Sequence, residues 1–340
     1  MFKKKIISLI KIIIPKKIFS KIIKKKQKKK LKKEFLVDFK KYENNAFVFT
    51  PHKEKRHLEA DLIFYYHKIE KGLALPKPRV GFGRKNINYL LKAIKQYEKK
   101  FGWDEISVIS LNTLFAYHAF NKKHGVNMKE LYKDIVKLKA TIPEDRLLEK
   151  GGTKTLKNDE INYLMPEFEQ FVNSRYSIRN FSSAAVDLDV IEKAVEIAQK
   201  TPSVCNRQPS KVYVYQNKSE QEKILKYQNG NTGFGDSANL ILIVTTDLKD
   251  FRGIIERNQV YVEGGLYSMS LMYALHAAGL GTCPLNLTMT NEKELQLKNA
   301  ANIPESEIPI MMIAVGYIPK EIDVAESPRR KAKEVMKIIN

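Results

Sequence analysis

Acidic residues are absent from the first 33 positions of this 340-residue chain, which carry 15 lysines and so account for most of the formal net charge of +22. The remainder is only mildly basic, so the charge is not the footprint of a nucleic-acid surface spread over a fold. Aromatic side chains are scarce in the same segment, where only Phe2 and Phe19 precede Phe35. Bases would find little to stack on there, and nucleic acid is not an expected partner. Cysteine is nearly missing: Cys205 and Cys283 cannot build a disulfide framework, and neither stands in a CxxC or at metal-ligand spacing from a histidine. A reducing cytosol suits this usage. The six histidines are scattered, with no HExxH and no HxE followed by PCxxC, which removes the common catalytic zinc patterns; no metal site is expected. The early apolar runs fall far short of the roughly 20 residues that span a bilayer. No small-residue cleavage site follows them, and neither a spanning helix nor a secretory signal is expected.

What is present starts with Ile, Leu and Phe interleaved with lysine in MFKKKIISLIKIIIPKKIFSKIIKKKQKKKLKK. Ile6, Ile10, Ile13, Ile14, Ile18 and Ile22 recur at helical steps and gather on one stripe between lysine-rich flanks, and Pro15 should kink or divide the helix. Residues 1–33 are therefore read as a basic amphipathic extension. Two outcomes stay open for it. One is peripheral attachment to an anionic membrane on the cytoplasmic side, where each near-surface lysine gains about 1 kcal/mol. The other is a disordered lysine-rich tail.

With 43% apolar residues the chain can fill two ordinary cores. Residues 34–168 read as a small helical domain, from the periodicity of HLEADLIFYYHKIEKGL, INYLLKAIKQYEKKFGW and SVISLNTLFAYHAFNKK. ALPKPRVGFGRKN between the first two helices is expected as an ordered loop, because its prolines and glycines end a helix. Lys71, Arg79, Arg84 and Lys85 around it would receive an anion or simply be solvated. His67 and Glu70 are three apart on a helix, a spacing that more often means a packed histidine than a metal pair. GGTKTLKNDE, from Gly151 to Glu160, reads as a linker.

Chemistry-bearing residues concentrate in 169–340. SRYSIRNF, Ser174 to Phe181, places Arg175 and Arg179 around Ser177, with Tyr176 between, beside the expected start of a helical segment; such a set can surround a phosphate. The amphipathic helix DLDVIEKAVEIAQKTP follows, then TPSVCNRQPSKVYVY, in which Pro202 and Ser203 end the helix. Ser203, Asn206 and Gln208 precede an alternating strand, Lys211 to Tyr215. Polar side chains at the lip of a strand are placed to read the edge of a heterocycle. GDSANLILIVTTD carries an apolar strand-like run. NQVYVEGGLYSMSLMYALHAAGLGTCPLN reads as a long helix apolar nearly all round, for which Glu263, Gly264, Gly265 and His276 favour burial over a membrane span, with a glycine-containing exit at Gly279–Asn286; PIMMIAVGYIPKE is the last strand. SPRRKAKEV brings Arg329 and Arg330 near the end.

This order, RxSxR, helix, PSxxNxQP, strand, long helix, glycine exit, strand and basic end, resembles the nitroreductase family over about 165 residues. The resemblance implies an α+β fold with a central mixed or antiparallel sheet flanked by helices, here preceded by the helical domain. It implies FMN as cofactor, NADH or NADPH as reductant, a small-molecule electron acceptor, ping-pong hydride transfer, and a homodimer with each site built from both chains. Carried over residue by residue, the cofactor-binding set is Arg175, Tyr176, Ser177, Arg179, Pro202, Ser203, Asn206, Gln208, Gly281, Thr282, Cys283, Arg329 and Arg330, with no catalytic side chain of its own. Arg175 and a terminal arginine would hold the phosphate, Arg179 would face the N1/O2 edge, and backbone amides of the glycine exit would face N5 and O4. Cys283 is read as small-residue packing rather than a catalytic thiol. Two departures touch the substrate: Ser210 stands where many relatives have tryptophan after QP, and TCPLN resembles the TPLN of iodotyrosine deiodinases although Gln216–Gly235 is too short for their substrate lid. A membrane-held flavin enzyme acting on a lipid-linked or cell-envelope intermediate, a general cytosolic nitro/quinone reductase and a non-catalytic flavin-bearing accessory protein all remain open.

Overall fold

The computed structural model describes residues 16–49, 54–155, 164–325, 327, 329 and 331–339. Ile6, Ile10, Ile13, Ile14, Pro15 and Arg330 lie outside the described residues, and with them the first part of the amphipathic stripe.

Helix α1 (Lys16–Asn45) leads into four helices, α2 (Lys55–Leu73), α3 (Arg84–Phe101), α4 (Glu105–Lys123) and α5 (Lys129–Lys139). Their apolar stripes close one core around Leu62, Ile69, Leu90, Ile94, Leu111, Leu114 and Ile135. Local chemistry sets the boundaries. Gly83 and Gly102, both at positive φ, flank α3, and Asp104 and Ser107 cap α4 reciprocally, side chain to backbone in both directions. The loop before α3 is ordered as expected, with the Gly81 amide donating to Asn121.

The second part contains α6 (Met165–Ser174), α7 (Leu188–Ala198), β1 (Ser210–Tyr215), α8 (Lys218–Leu225), β2 (Leu240–Asp247), α9 (Gln259–Ala277), β3 (Leu280–Asn286), α10 (Asn291–Ala300), β4 (Glu307–Tyr317) and α11 (Ala332–Val335). One antiparallel sheet in the order β1-β2-β4-β3 forms its centre. The fold is α+β, with an antiparallel rather than a mixed sheet. β2 is buried along its whole length. Its side chains alternate between two cores: Ile241 and Ile243 face one, Leu240, Leu242 and Val244 the other. α9 lies against the second face. At Gly264 a Cβ would stand 2.4 Å from Ile310 and 2.6 Å from Thr246, so the helix approaches the sheet through a missing side chain.

The boundaries expected at residues 33 and 168 fall inside helices, the first in α1 and the second in α6. A change from lysine-rich to mixed charge does not break a helix, because lysine and glutamate both propagate it. The two parts are also pinned together. Lys41 pairs with Glu294 at 2.7 Å, Arg56 with Asp250 at 2.8 Å and Arg252 with Asp61 at 2.8 Å. Arg252 also covers the Phe47 and Phe64 rings, at 4.7 and 4.0 Å. Gly151 and Gly152, expected in a linker, are packed on α4 instead, with the Gly152 amide donating to Glu70 and Thr113. Among the described residues no helix is long and apolar enough to cross a membrane.

Candidate functional site

The residues singled out from sequence form two groups, each held by different elements. The first is an extended strip after α6. Ser177 bridges to Thr282 of β3 in parallel, and the Ile178 amide donates to the Thr282 carbonyl at 2.9 Å. No helix starts at these arginines, contrary to expectation: α6 ends at Ser174 and α7 begins at Leu188. Phosphate binding here would rest on side chains, without a helix N-terminus behind it. The Ser174 hydroxyl sits 2.8 Å from His276 Nε2, tying the strip to the end of α9.

Among the described residues, Arg175 Nη1 and Thr282 Oγ1 are both buried without a hydrogen-bond partner. A buried guanidinium donor left unpaired is costly unless something supplies an acceptor. Burial, and next the Arg175 charge, hold His276 below the ordinary histidine range. Burial pushes the Cys283 thiol up, and Arg179 and Arg175 offset this only in part. A buried thiol whose pKa is raised is a poor nucleophile. Arg179 is exposed, 6.0 Å from the Phe234 ring, and Tyr176 is exposed beside it.

The glycine exit differs from its expected form. Only Gly279, at φ 79, makes the turn; residues 280–286 are strand β3. Gly281 is small because a Cβ would stand 2.9 Å from Ile318 and 3.0 Å from Ile178. Its size is explained by these neighbours, whatever else approaches it. Arg329 is exposed and donates to the Ser327 carbonyl at 2.8 Å. No hydrogen bond or ion pair between described residues brings it to Arg175.

The second group, Pro202–Gln208, turns tightly into β1. Cys205, Asn206 and Gln208 all have left-handed φ, 53, 56 and 52. Non-glycine residues there cost of order 1–3 kcal/mol each and persist only when neighbours over-determine them. The neighbours are visible. Ser203 accepts the Gln208 amide at 3.0 Å, and Glu263 of α9 accepts the Val204 amide at 3.1 Å. Arg207 is fully buried: it donates a two-armed fork to Glu256, 3.0 Å on each arm, and its Nε donates to the Val204 carbonyl. Burial raises Glu263 above the usual carboxylate range. Burial also raises Glu256, but the Arg207 fork and backbone donors outweigh it and hold that carboxyl low. Pro202, Ser203, Gln208, Ser210, Glu263 and Tyr267 line a small cleft at the foot of the turn.

Arg207 and Glu256 were not legible as a pair. An arginine inside a polar run is a faint signal, and its partner 49 positions away carries none.

The two groups stand at diagonal corners of the sheet. β1 and β3 are its opposite edges. Ser210 lies level with Thr246 and Ile308, whereas Thr282 lies level with Val315, seven residues further along β4. At about 3.3 Å per residue and about 4.8 Å per strand spacing, the corners are on the order of 25–30 Å apart. One chain does not bring them together.

Residues 172–232 and 225–317 match the nitroreductase family. An iodotyrosine deiodinase from Haliscomenobacter hydrossis is 27% identical over 202 residues, covering 51% of this chain and 88% of the relative. An FMN reductase [NAD(P)H] from Bacillus subtilis is 23% identical over 167 residues, covering 45% and 66%. Among solved structures, a nitroreductase-like protein from Streptococcus mutans is 20% identical with a TM-score of 0.46, covering 52% of this chain and all of the other.

Proposed function

Because the C-terminal part of this chain is a nitroreductase-family domain, we propose that the protein is an FMN-dependent oxidoreductase that takes electrons from NADH or NADPH and works as a homodimer. One observation carries the reading: two sets of cofactor-type residues at diagonal corners of a sheet, one of them holding a buried, unpaired guanidinium donor and hydroxyl. A second copy can bring the Ser203–Gln208 turn of one chain to the Arg175–Arg179 strip of the other. The exposed face of α9, with Tyr261, Val262 and Leu266, and the neighbouring Ile254 and Ile255 supply apolar surface for such a pairing.

When bound, FMN would supply the hydride chemistry, accepting from the nicotinamide and passing electrons to a second small molecule in a ping-pong cycle. The chain's own share is binding and orientation. Arg175 Nη1 and Ser177 would meet the phosphate oxygens, and Arg179, free of any acidic partner among the described residues, would face the N1/O2 edge. Asn206 and Gln208, held rigid on a strained turn, would read the heterocycle from the other subunit. Cys283 stays neutral and packs.

The absorption spectrum before and after anaerobic NADH or NADPH tests the cofactor. Flavin absorbance that bleaches supports the reading, and a colourless protein that takes up no added FMN ends it. Subunit exchange tests the shared site. Arg175→Ala and Asn206→Ala proteins, each impaired alone, should regain turnover when mixed, since a heterodimer holds one intact site; no recovery despite heterodimer formation would mean that each chain builds its own site.

The finer reading, action at a membrane surface, is favoured by α1, where Ile18, Ile22 and Ile23 are exposed among lysines. Co-sedimentation with anionic liposomes, with and without residues 1–33, tests it: binding must be present in the full chain and lost on truncation.

The segment between β1 and β2 gives no support for a substrate lid. It holds α8 and a turn tied down by Gln221, Gln228 and Asn231 to backbone carbonyls.

A further inference from the structure

The left-handed turn at Ser203–Gln208 is gripped from outside its own domain. α2 packs on Val204–Asn206 and on Leu248–Asp250. Arg56 of α2 is the clamp. Its Nη2 donates to the Gln208 carbonyl at 3.2 Å and to Asp250 Oδ2 at 2.8 Å, while its Nε donates to the same carboxylate oxygen at 3.1 Å. One guanidinium therefore joins a backbone carbonyl in the left-handed region to a carboxylate that is 1% exposed. Ten residues further along, nearly three turns toward α2's C-terminal end, Tyr66 is buried beside Asn206, whose side chain offsets part of the rise that burial imposes on the tyrosine hydroxyl. Both contacts land on residues with strained φ, and both come from the helical domain. A turn with three left-handed non-glycine residues would relax toward ordinary φ if its outside partners left.

We propose that the helical domain is the positioning element of the flavin site: Arg56 and Tyr66 hold Gln208 and Asn206 in the conformation that receives the cofactor, which couples docking of this domain to occupancy of the site. The inference rests on the FMN reading above. It gives the domain a function that does not require a ligand of its own. Coupling is reciprocal, so a cofactor that favours the held turn also tightens α2 on it.

The test uses the full chain freed of flavin. FMN affinity is measured by fluorescence quenching, and apo-protein melting separately, for the wild type, Tyr66→Phe, Arg56→Met and Arg56→Lys. Tyr66→Phe keeps the ring and removes only the hydroxyl, so it reports even if Arg56→Met fails to fold. The expected result is a Kd raised about tenfold for Tyr66→Phe with an apo melting temperature close to wild type, and for Arg56→Lys, which keeps charge but loses the fork, a smaller rise than for Arg56→Met. FMN should also slow amide exchange in α2 of the wild type and do so less in Tyr66→Phe. Wild-type affinity in both Tyr66→Phe and Arg56→Lys, or melting temperatures that fall with no change in Kd, would leave these residues merely structural and overturn the proposal. A wild-type protein that binds no FMN overturns the FMN reading itself, and the two failures are told apart by the wild-type titration alone.

Discussion

The two corners of the sheet are built on opposite principles. The Arg175–Arg179 strip is under-satisfied: a guanidinium donor and a threonine hydroxyl are buried without partners, and Arg179 has no acidic neighbour among the described residues. The Ser203–Gln208 turn is over-determined in its backbone: Glu263 accepts from the Val204 amide, Ser203 from the Gln208 amide, and Arg56 donates to the Gln208 carbonyl, although among the described residues Glu263 Oε2 and Asp250 Oδ1 beside it have no partner. An under-satisfied cationic pocket is an arrangement that gains from an arriving anion. An over-determined turn is one that has little left to rearrange when a ring arrives, which lowers the cost of binding. In the proposed homodimer the corners would divide the work into charge capture and shape reading.

The difference can be broken most sharply at Arg207. Arg207→Met removes both arms of a buried fork and leaves Glu256 without its cation, and breaking such a pair costs about 3 kcal/mol of stability. Chemical denaturation should show it, and the strained turn should relax with it. At the other corner, Arg175→Ala should weaken FMN binding by about 1.5–3 kcal/mol with little loss of stability, because among the described residues its buried Nη1 has no partner to orphan. Unchanged FMN affinity would make the strip structural. Gly264→Ala pushes α9 off the sheet that separates the corners, and overpacking of this kind costs about 1–3 kcal/mol; the melting temperature should drop, with both corners disturbed together.

A further effect is a pH dependence at the clamp of the turn. Burial raises the Asp250 carboxyl to about 7, against the opposing pull of Arg56. The native state therefore holds this proton more tightly than the unfolded chain. The stability it contributes is complete below the ordinary aspartate pKa and is lost as pH rises toward about 7. Urea midpoints measured from pH 4 to 8 should decline less steeply across that window in Asp250→Asn than in the wild type. Identical slopes would show that Asp250 is not the titrating group.

Much of the second domain was readable in the chain. Period-two alternation marked β1, the resemblance marked GDSANLILIVTTD as the central strand, and small residues amid apolar ones marked α9 as a buried helix. The motif residues were readable as polar groups close together in the chain. Two readings failed for physical reasons. The glycine at 281 looked like a turn but answers to Ile178 and Ile318, contacts that exist only after folding. The arginine strip looked like a helix start but follows a helix end.

The sequence by itself determined most element types and the inventory of polar groups, because these depend on periodicity and on side chains close together in the chain. Only the tertiary structure decided that the polar groups lie at opposite corners of one sheet, that Arg207 is buried on Glu256, and that a helix from the first domain grips the turn of the second. Those relations depend on strand order and on contacts between residues 49, 152 and 194 positions apart, and local pattern carries no information about which distant segments will meet.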